Sequence, residues 1–302
     1  MRPFAIALVL AALASSAGSS AAITPPLLIG DNGLPAAVRA GAARYFAWID
    51  SRGGVNGRRV AFRAVTPAEE PLAVLATAGA PEPVPQLVLS GSAAARGRAW
   101  AVGYLPGYRL EAAVLARQIA KTRPGARIAV LHSDDADGRE LLERFRRSAR
   151  VTVASSDPAV LRASGADTLV VLSSHSLALP TRDWFVYSNA AAAEPFPGAV
   201  STVFVRMPGD PTWASDPTPP RLRPANGEQA LGLAAAFTVV DALRRAGAGP
   251  TRAAVLTALR RSVEADNPFL VPGIVVRGGI HQIALQRWSA GRWRIFTPPL
   301  AR

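Results

Sequence analysis

Short apolar runs alternate with segments of helical period along most of this chain. Leu27 to Gly30 is an apolar run that predicts a strand, and Ala36 to Ser51 predicts a helix. In that helix Val38, Ala42, Phe46 and Ile49 fall on one stripe. It is expected to stop at Gly53-Gly54, because glycine takes the left-handed conformation that ends helices at little cost. Arg59 to Val65 and Val84 to Leu89 read as strands, and Leu110 to Thr122 as a helix with Leu110, Val114, Leu115 and Ile119 inward. Arg127 to His132 is apolar without alternation, as a strand covered on both faces should be.

The same rhythm continues. Gly138 to Ala149 predicts a helix and Val151 to Ala154 a strand. Asp157-Pro158 opens a short helix, since aspartate caps and proline fits the first turn. Thr168 to Leu172, Trp184 to Tyr187 and Val200 to Val205 read as strands of a second sheet, and the proline-rich stretch Gly209 to Pro224 as an irregular crossover. Asn226 caps a long helix from Glu228 to Ala246, and Thr251 caps another that ends near Val263. Gln282 to Ser289 and Arg292 to Phe296 form a hairpin across Ala290-Gly291. Strands alternating with helices indicate an α/β chain built around parallel sheets, in one large or two medium domains.

Composition narrows the class. Arg2, the apolar run Phe4 to Ala14 and the small residues Ser20-Ala21-Ala22 predict a secretory leader, residues 1–22, cleaved to leave Ile23 first. The mature chain is then expected outside the cytoplasm. The longest later apolar stretch, Ala230 to Leu243, is broken by Gly232, Thr238 and Asp241, so no second membrane segment is expected. The sequence has no cysteine. That removes disulfides, thiolate metal sites, thiol nucleophiles and a lipid-bearing cysteine at the cleavage point.

The formal charge of +13 raises the question of nucleic acid. The arginines are scattered, however, and no basic-aromatic groove motif recurs, so nucleic acid is not an expected partner. His132, His175 and His281 are too dispersed for metal-ligand spacing. No phosphate loop, dinucleotide fingerprint or nucleophile elbow occurs. The chain is expected to be neither an enzyme nor a holder of a cofactor.

Several segments resemble one family, in the same order. Tyr45 to Val60 (YFAWIDSRGGVNGRRV) resembles the helix-turn-strand signature of branched-chain amino-acid (Leu/Ile/Val)-type binding proteins of ABC transporters. Val84 to Leu87 followed by Ser90-Gly91-Ser92, Trp100 to Lys121, and Arg127 to Leu142 (RIAVLHSDDADGRELL) have counterparts there. So do Asp210 to Trp213, Leu270 to Ile274, and the closing hairpin. The resemblance implies a type I periplasmic binding protein: two Rossmann-like βαβ lobes with parallel sheets, joined by hinge strands, with a ligand between them. The implied division is 23–103 and 224–270 for lobe 1, with 104–223 and 271–302 for lobe 2. Hinges are expected near Tyr104, Met207 and Val271. The implied partners are a small polar or amino-acid-like ligand and a membrane permease, with the receptor itself a periplasmic monomer. A sensor or accessory protein with an eroded pocket is the alternative.

The resemblance also places the site. Ser90 and Ser92 follow a strand and suit a ligand carboxylate. Tyr104 and Tyr108 flank Pro106 at a crossover and suit the cleft wall. Ser188 and Asn189 end a strand of the second lobe. Asp137 stands where relatives have an aromatic residue; an acid at a helix N-terminus, favoured by the helix dipole, is its other reading. The eighteen residues between Val65 and Val84 are too few for the helix, strand and ligand-holding loop of relatives, most of which is expected to be missing. Pro197 before Gly198 matches the position of the family's ammonium-binding acid, with Glu194 a weak substitute. Leucine, isoleucine and valine are therefore not expected to be tight ligands.

Overall fold

The structure is a computed structural model and describes residues 25–66, 69–79, 83–93, 98–179 and 183–301. The expected leader and its cleavage point lie outside these residues.

Strands β1 (Leu27–Asn32), β2 (Val60–Ala64), β3 (Ala73–Ala76), β4 (Gln86–Val88) and β5 (Ala101–Gly103) form a parallel sheet in the order β2-β1-β3-β4-β5. A second sheet repeats that order. Its parallel part is β7 (Val153–Ser155), β6 (Ile128–His132), β8 (Thr168–Leu172), β9 (Phe185–Ser188) and β10 (Val200–Val203), read across the sheet. The antiparallel hairpin β13 (Ala284–Ser289) and β14 (Arg292–Ile295) extends it beyond β10. Ala290 and Gly291 both have positive φ, 50° and 75°, as the tight turn of such a hairpin requires. A small pair, β11 (Val263–Glu264) and β12 (Val276–Arg277), stands apart.

Helices α1 (Ala36–Asp50), α5 (Gly227–Arg245) and α6 (Arg252–Arg260) belong with the first sheet. Helices α2 (Tyr108–Thr122), α3 (Ala136–Arg146) and α4 (Pro158–Ala163) belong with the second. The closest helix pair is α1 on α5. Gly232 of α5 sits against the Val38 carbonyl and Gly41 of α1 against the Gln229 carbonyl, with no room for a Cβ at either place. Asn226, Asp157 and Thr251 cap α5, α4 and α6 through side-chain oxygens, as their positions in the sequence predict.

The chain passes between the two sheets three times, at 104–107, 204–226 and 278–283. The crossings are tied to their surroundings by backbone bonds. Ile280 N donates to Tyr104 O at 2.8 Å, Arg206 N to Phe269 O at 2.8 Å, and Val271 N to Phe204 O at 2.9 Å.

Two expectations need correction. The shortened stretch after Val65 keeps its strand: β3 is fully buried between β1 and β4. Four residues, two of them alanine, carry too little pattern to announce a strand, and pairing on both sides makes it one. Pro197-Gly198 sits at the amino end of β10, whereas ligands of doubly wound sheets lie beyond the carboxyl ends. That position faces away from the cleft.

Candidate ligand-binding cleft

In a sheet ordered 2-1-3-4-5 the connections leave in opposite directions on either side of the first strand, opening a crevice at the carboxyl ends. Here loops from the carboxyl ends of both sheets meet across the gap. From the first sheet comes the turn after β4, in which Ser90 Oγ accepts from Ser92 N at 3.1 Å. From the second come the start of α2 and the loop between β6 and α3.

Helix α3 is anchored at its first turn. Asp135 Oδ1 accepts from Gly138 N at 2.6 Å and from Ser133 Oγ at 3.0 Å, while Oδ2 accepts from Ser174 Oγ at 3.0 Å. Gly138 packs so closely on Ser133 that a side chain there would collide with it. Burial alone would raise the Asp135 carboxyl, but these bonds and His175 nearby outweigh it and hold the group below its usual range.

With α3 fixed, Glu140 reaches the first sheet's loop. Its Oε2 accepts from Ser92 Oγ at 2.7 Å, and Oε1 accepts from Ala93 N at 3.3 Å. Arg144, one turn further along, donates to Oε1 through Nη2 at 3.1 Å and Nε at 3.4 Å. Desolvation pushes the Glu140 carboxyl up; the donors from Ser92, Arg144 and Ala93 more than offset it, and the net direction is down. The carboxylate is ionised and bridges the two lobes.

Tyr108, the first residue of α2, fills the angle beside it. Its ring lies against Gly91, where a Cβ would strike it. Its hydroxyl bonds Ser90 and Asp137, and burial raises its ionisation far above the ordinary tyrosine value. Asp137 is half-buried, and its desolvation raises its own pKa. Next to this cluster is a cavity of about 620 Å³ lined by Gly91, Tyr108, Arg109, Glu140, Arg144 and His281, among others.

Of the residues expected from the sequence, Ser90, Ser92, Tyr108 and Asp137 come together here. The others lie elsewhere. Tyr104 is wholly buried, and its hydroxyl accepts from Thr238 Oγ1 at 3.2 Å and Asn267 Nδ2 at 3.5 Å. Ser188 is buried on β9 in register with Val171 and Ser201. Asn189 clasps the neighbouring loop: Oδ1 accepts from Ser173 N at 2.9 Å and Nδ2 donates to Ser173 O at 2.8 Å. Glu140, Arg144 and Arg109 escaped the sequence reading. Glu140 and Arg144 look there like an ordinary i,i+4 surface pair, and no local signal distinguishes them.

His175 does not link a hydroxyl to an acid through opposite ring nitrogens. His175 Nδ1 lies 3.2 Å from Ser174 Oγ and 3.8 Å from Asp135 Oδ2, so hydroxyl and acid address the same nitrogen. Among the described residues no group of three His, Cys, Asp or Glu side chains is placed to hold a metal, and no helix is long and apolar enough to cross a membrane.

No family model matches the sequence, and no curated protein matches it. Solved structures do match the fold. A branched-chain amino acid ABC transporter protein from Thermus thermophilus with bound valine has a TM-score of 0.74 at 15% identity, covering 92% of this chain and 96% of that one. A fatty acid ABC transporter substrate-binding protein from Thermomonospora curvata gives 0.69 at 12% identity, with 92% and 93% covered. A solute-binding protein from R. palustris in complex with benzoate gives 0.68 at 12% identity, with 92% and 98% covered. The fold is that of the type I periplasmic binding proteins. Within that class, the structures that share it include those of branched-chain amino-acid transport, as the motifs suggest.

Proposed function

We propose that this chain is an exported solute-binding protein of an ABC transporter, which captures a small polar or amino-acid-like ligand between its lobes and presents it to a membrane permease. The observation that carries this reading is the convergence of loops from two separate sheets on one cavity. Gly91 and Ala93 come from one side, Tyr108, Glu140 and Arg144 from the other, with Ser90, Ser92 and Asp137 beside them. A site split in this way is completed only when the lobes approach, so ligand binding and lobe closure are coupled. Structures of this fold include one with bound valine, one in complex with benzoate and a fatty acid ABC transporter substrate-binding protein, which supports a solute role and leaves the choice of solute to the pocket. The reading includes a cleaved leader, a periplasmic location, a monomer, and no catalytic step.

A second reading, an accessory or sensory protein with an eroded pocket, is favoured by one feature. Ser92 Oγ and Ala93 N, the donors best placed for a ligand, are already bonded to Glu140.

The test is a thermal-shift screen of the purified protein against amino acids, amides, organic acids and alcohols. A ligand at about 100 times its dissociation constant adds roughly 2.7 kcal/mol, a shift of a few degrees. At least one class is expected to produce it, and leucine, isoleucine and valine are not expected to do so below millimolar concentration. A flat response to every class would overturn the transport reading in favour of the accessory one.

A further inference from the structure

We infer that the Glu140 side chain is a built-in occupant of a carboxylate subsite, and that the solute of this protein is an organic acid without an ammonium group, whose carboxylate displaces it. The inference rests on the solute-binding reading above and names its ligand class.

The geometry around Glu140 is that of a received carboxylate. One oxygen takes a hydroxyl at 2.7 Å; the other takes a backbone N–H at 3.3 Å and a guanidinium nitrogen at 3.1 Å. The hydroxyl and the amide come from the first lobe's loop and the guanidinium from the second lobe. The donors thus span the gap that a bound anion would span. Ionised carboxylates take such donors more strongly than neutral acceptors do, so this set selects for negative charge.

The subsite can be exchanged. Glu140 hangs on a helix surface by flexible torsions, and its partners Ser92 and Ala93 lie in a turn. An incoming carboxylate can take the same three donors while Glu140 swings into the adjoining cavity. There Arg109, Arg144 and His281 line the wall. The exchange replaces one set of charge-assisted bonds by an equal one, so it does not strand a buried charge.

The same inventory disfavours an ammonium. Among the described residues, the acids near the cavity are Glu140, already held by Ser92, Ala93 and Arg144, and Asp137, bonded to the Tyr108 hydroxyl. Against them stand Arg109 and Arg144 on the cavity wall. A cation entering here meets two guanidiniums and two carboxylates that already hold donors, and burying it unpaired is costly.

The experiment uses three probes with one carbon skeleton: propionate, which matches the glutamate side chain beyond its Cα, alanine, which adds an ammonium, and propionamide, which removes the charge. Each is titrated by NMR into the full-length wild-type protein and into Glu140→Ala and Glu140→Gln. Alanine substitution empties the subsite; glutamine keeps the shape, loses the charge and serves if the alanine variant does not fold. Propionate is expected to bind either variant at least tenfold more tightly than wild type, and at least tenfold more tightly than alanine or propionamide. Adding Arg144→Gln to Glu140→Ala is expected to abolish the gain. Propionate affinity unchanged by both Glu140 substitutions, or alanine binding as well as propionate, overturns the inference while solute binding stands. If propionate fails and the broad panel also gives no shift, both fall.

Discussion

Glu264 shows at the scale of one residue how burial and hydrogen bonding compete. It is 2% exposed beside the first crossing, and its carboxyl meets Ser262 Oγ at 2.7 Å, Thr238 Oγ1 at 2.8 Å and Asn267 Nδ2 at 3.2 Å. Desolvation still wins, and its pKa lies above the ordinary 4.5. Between 4.5 and that higher value the folded protein holds a proton that the unfolded chain has released. The contribution of Glu264 to stability is therefore fully present below about 4.5 and falls as pH rises through the native value. Asp135 and Glu140, whose pKa values are depressed, behave in the opposite sense: their contributions are lost as pH falls. Comparing wild type with Glu264→Gln cancels those other groups. Denaturant melts from pH 4 to 8 are expected to show the glutamine variant gaining on wild type as pH rises. A difference that does not change with pH would mean that Glu264 titrates as an ordinary surface acid.

The α1–α5 pair sets the rigidity of the first lobe at the scale of elements. Two glycines, Gly41 and Gly232, bring the helix backbones together, and each faces a carbonyl of the other helix. A methyl group at Gly232 cannot be absorbed by a rotamer change, because its neighbour is backbone. Gly232→Ala is expected to cost about 2 kcal/mol or more, the upper part of the range for overpacking, read as a lower denaturation midpoint. Gly209, with open space around it and no positive φ, is the control. Gly209→Ala should stay within about 0.5 kcal/mol of wild type. Equal effects at the two positions would contradict the close crossing.

The three crossings decide what can move at the scale of the whole molecule. Ser92, Ala93 and Glu140 bridge the lobes at the cleft, and the crossings join them behind it. Breaking the bridge should leave each sheet intact while the lobes separate. Glu140→Ala without ligand is expected to show a larger radius of gyration in solution scattering than wild type, with unchanged far-ultraviolet circular dichroism. A saturating ligand should reverse the expansion. Identical scattering from variant and wild type would mean that the crossings alone hold the lobes closed.

What the sequence determined by itself is whatever depends on neighbours a few residues away. The stripe of α1, the caps Asn226, Asp157 and Thr251, and the Ala290-Gly291 turn each involve partners within about one turn of chain, so their spacing can be read directly. Ser90, Ser92, Tyr108 and Asp137 are candidates in the sequence because strand ends and family motifs mark them, and the structure brings them near one another. The tertiary structure alone decided the rest. Strand β3 exists because β1 and β4 pair with it on both sides. Tyr104 is core because Thr238 and Asn267, more than 130 residues away, come to its hydroxyl. Glu140 became part of the site because a residue 48 positions earlier in the chain, on the other lobe, meets it. Periodicity fixes which face of a helix is polar, but the partner of a polar face is set by how two separately folded sheets are held together, and no local pattern carries that information.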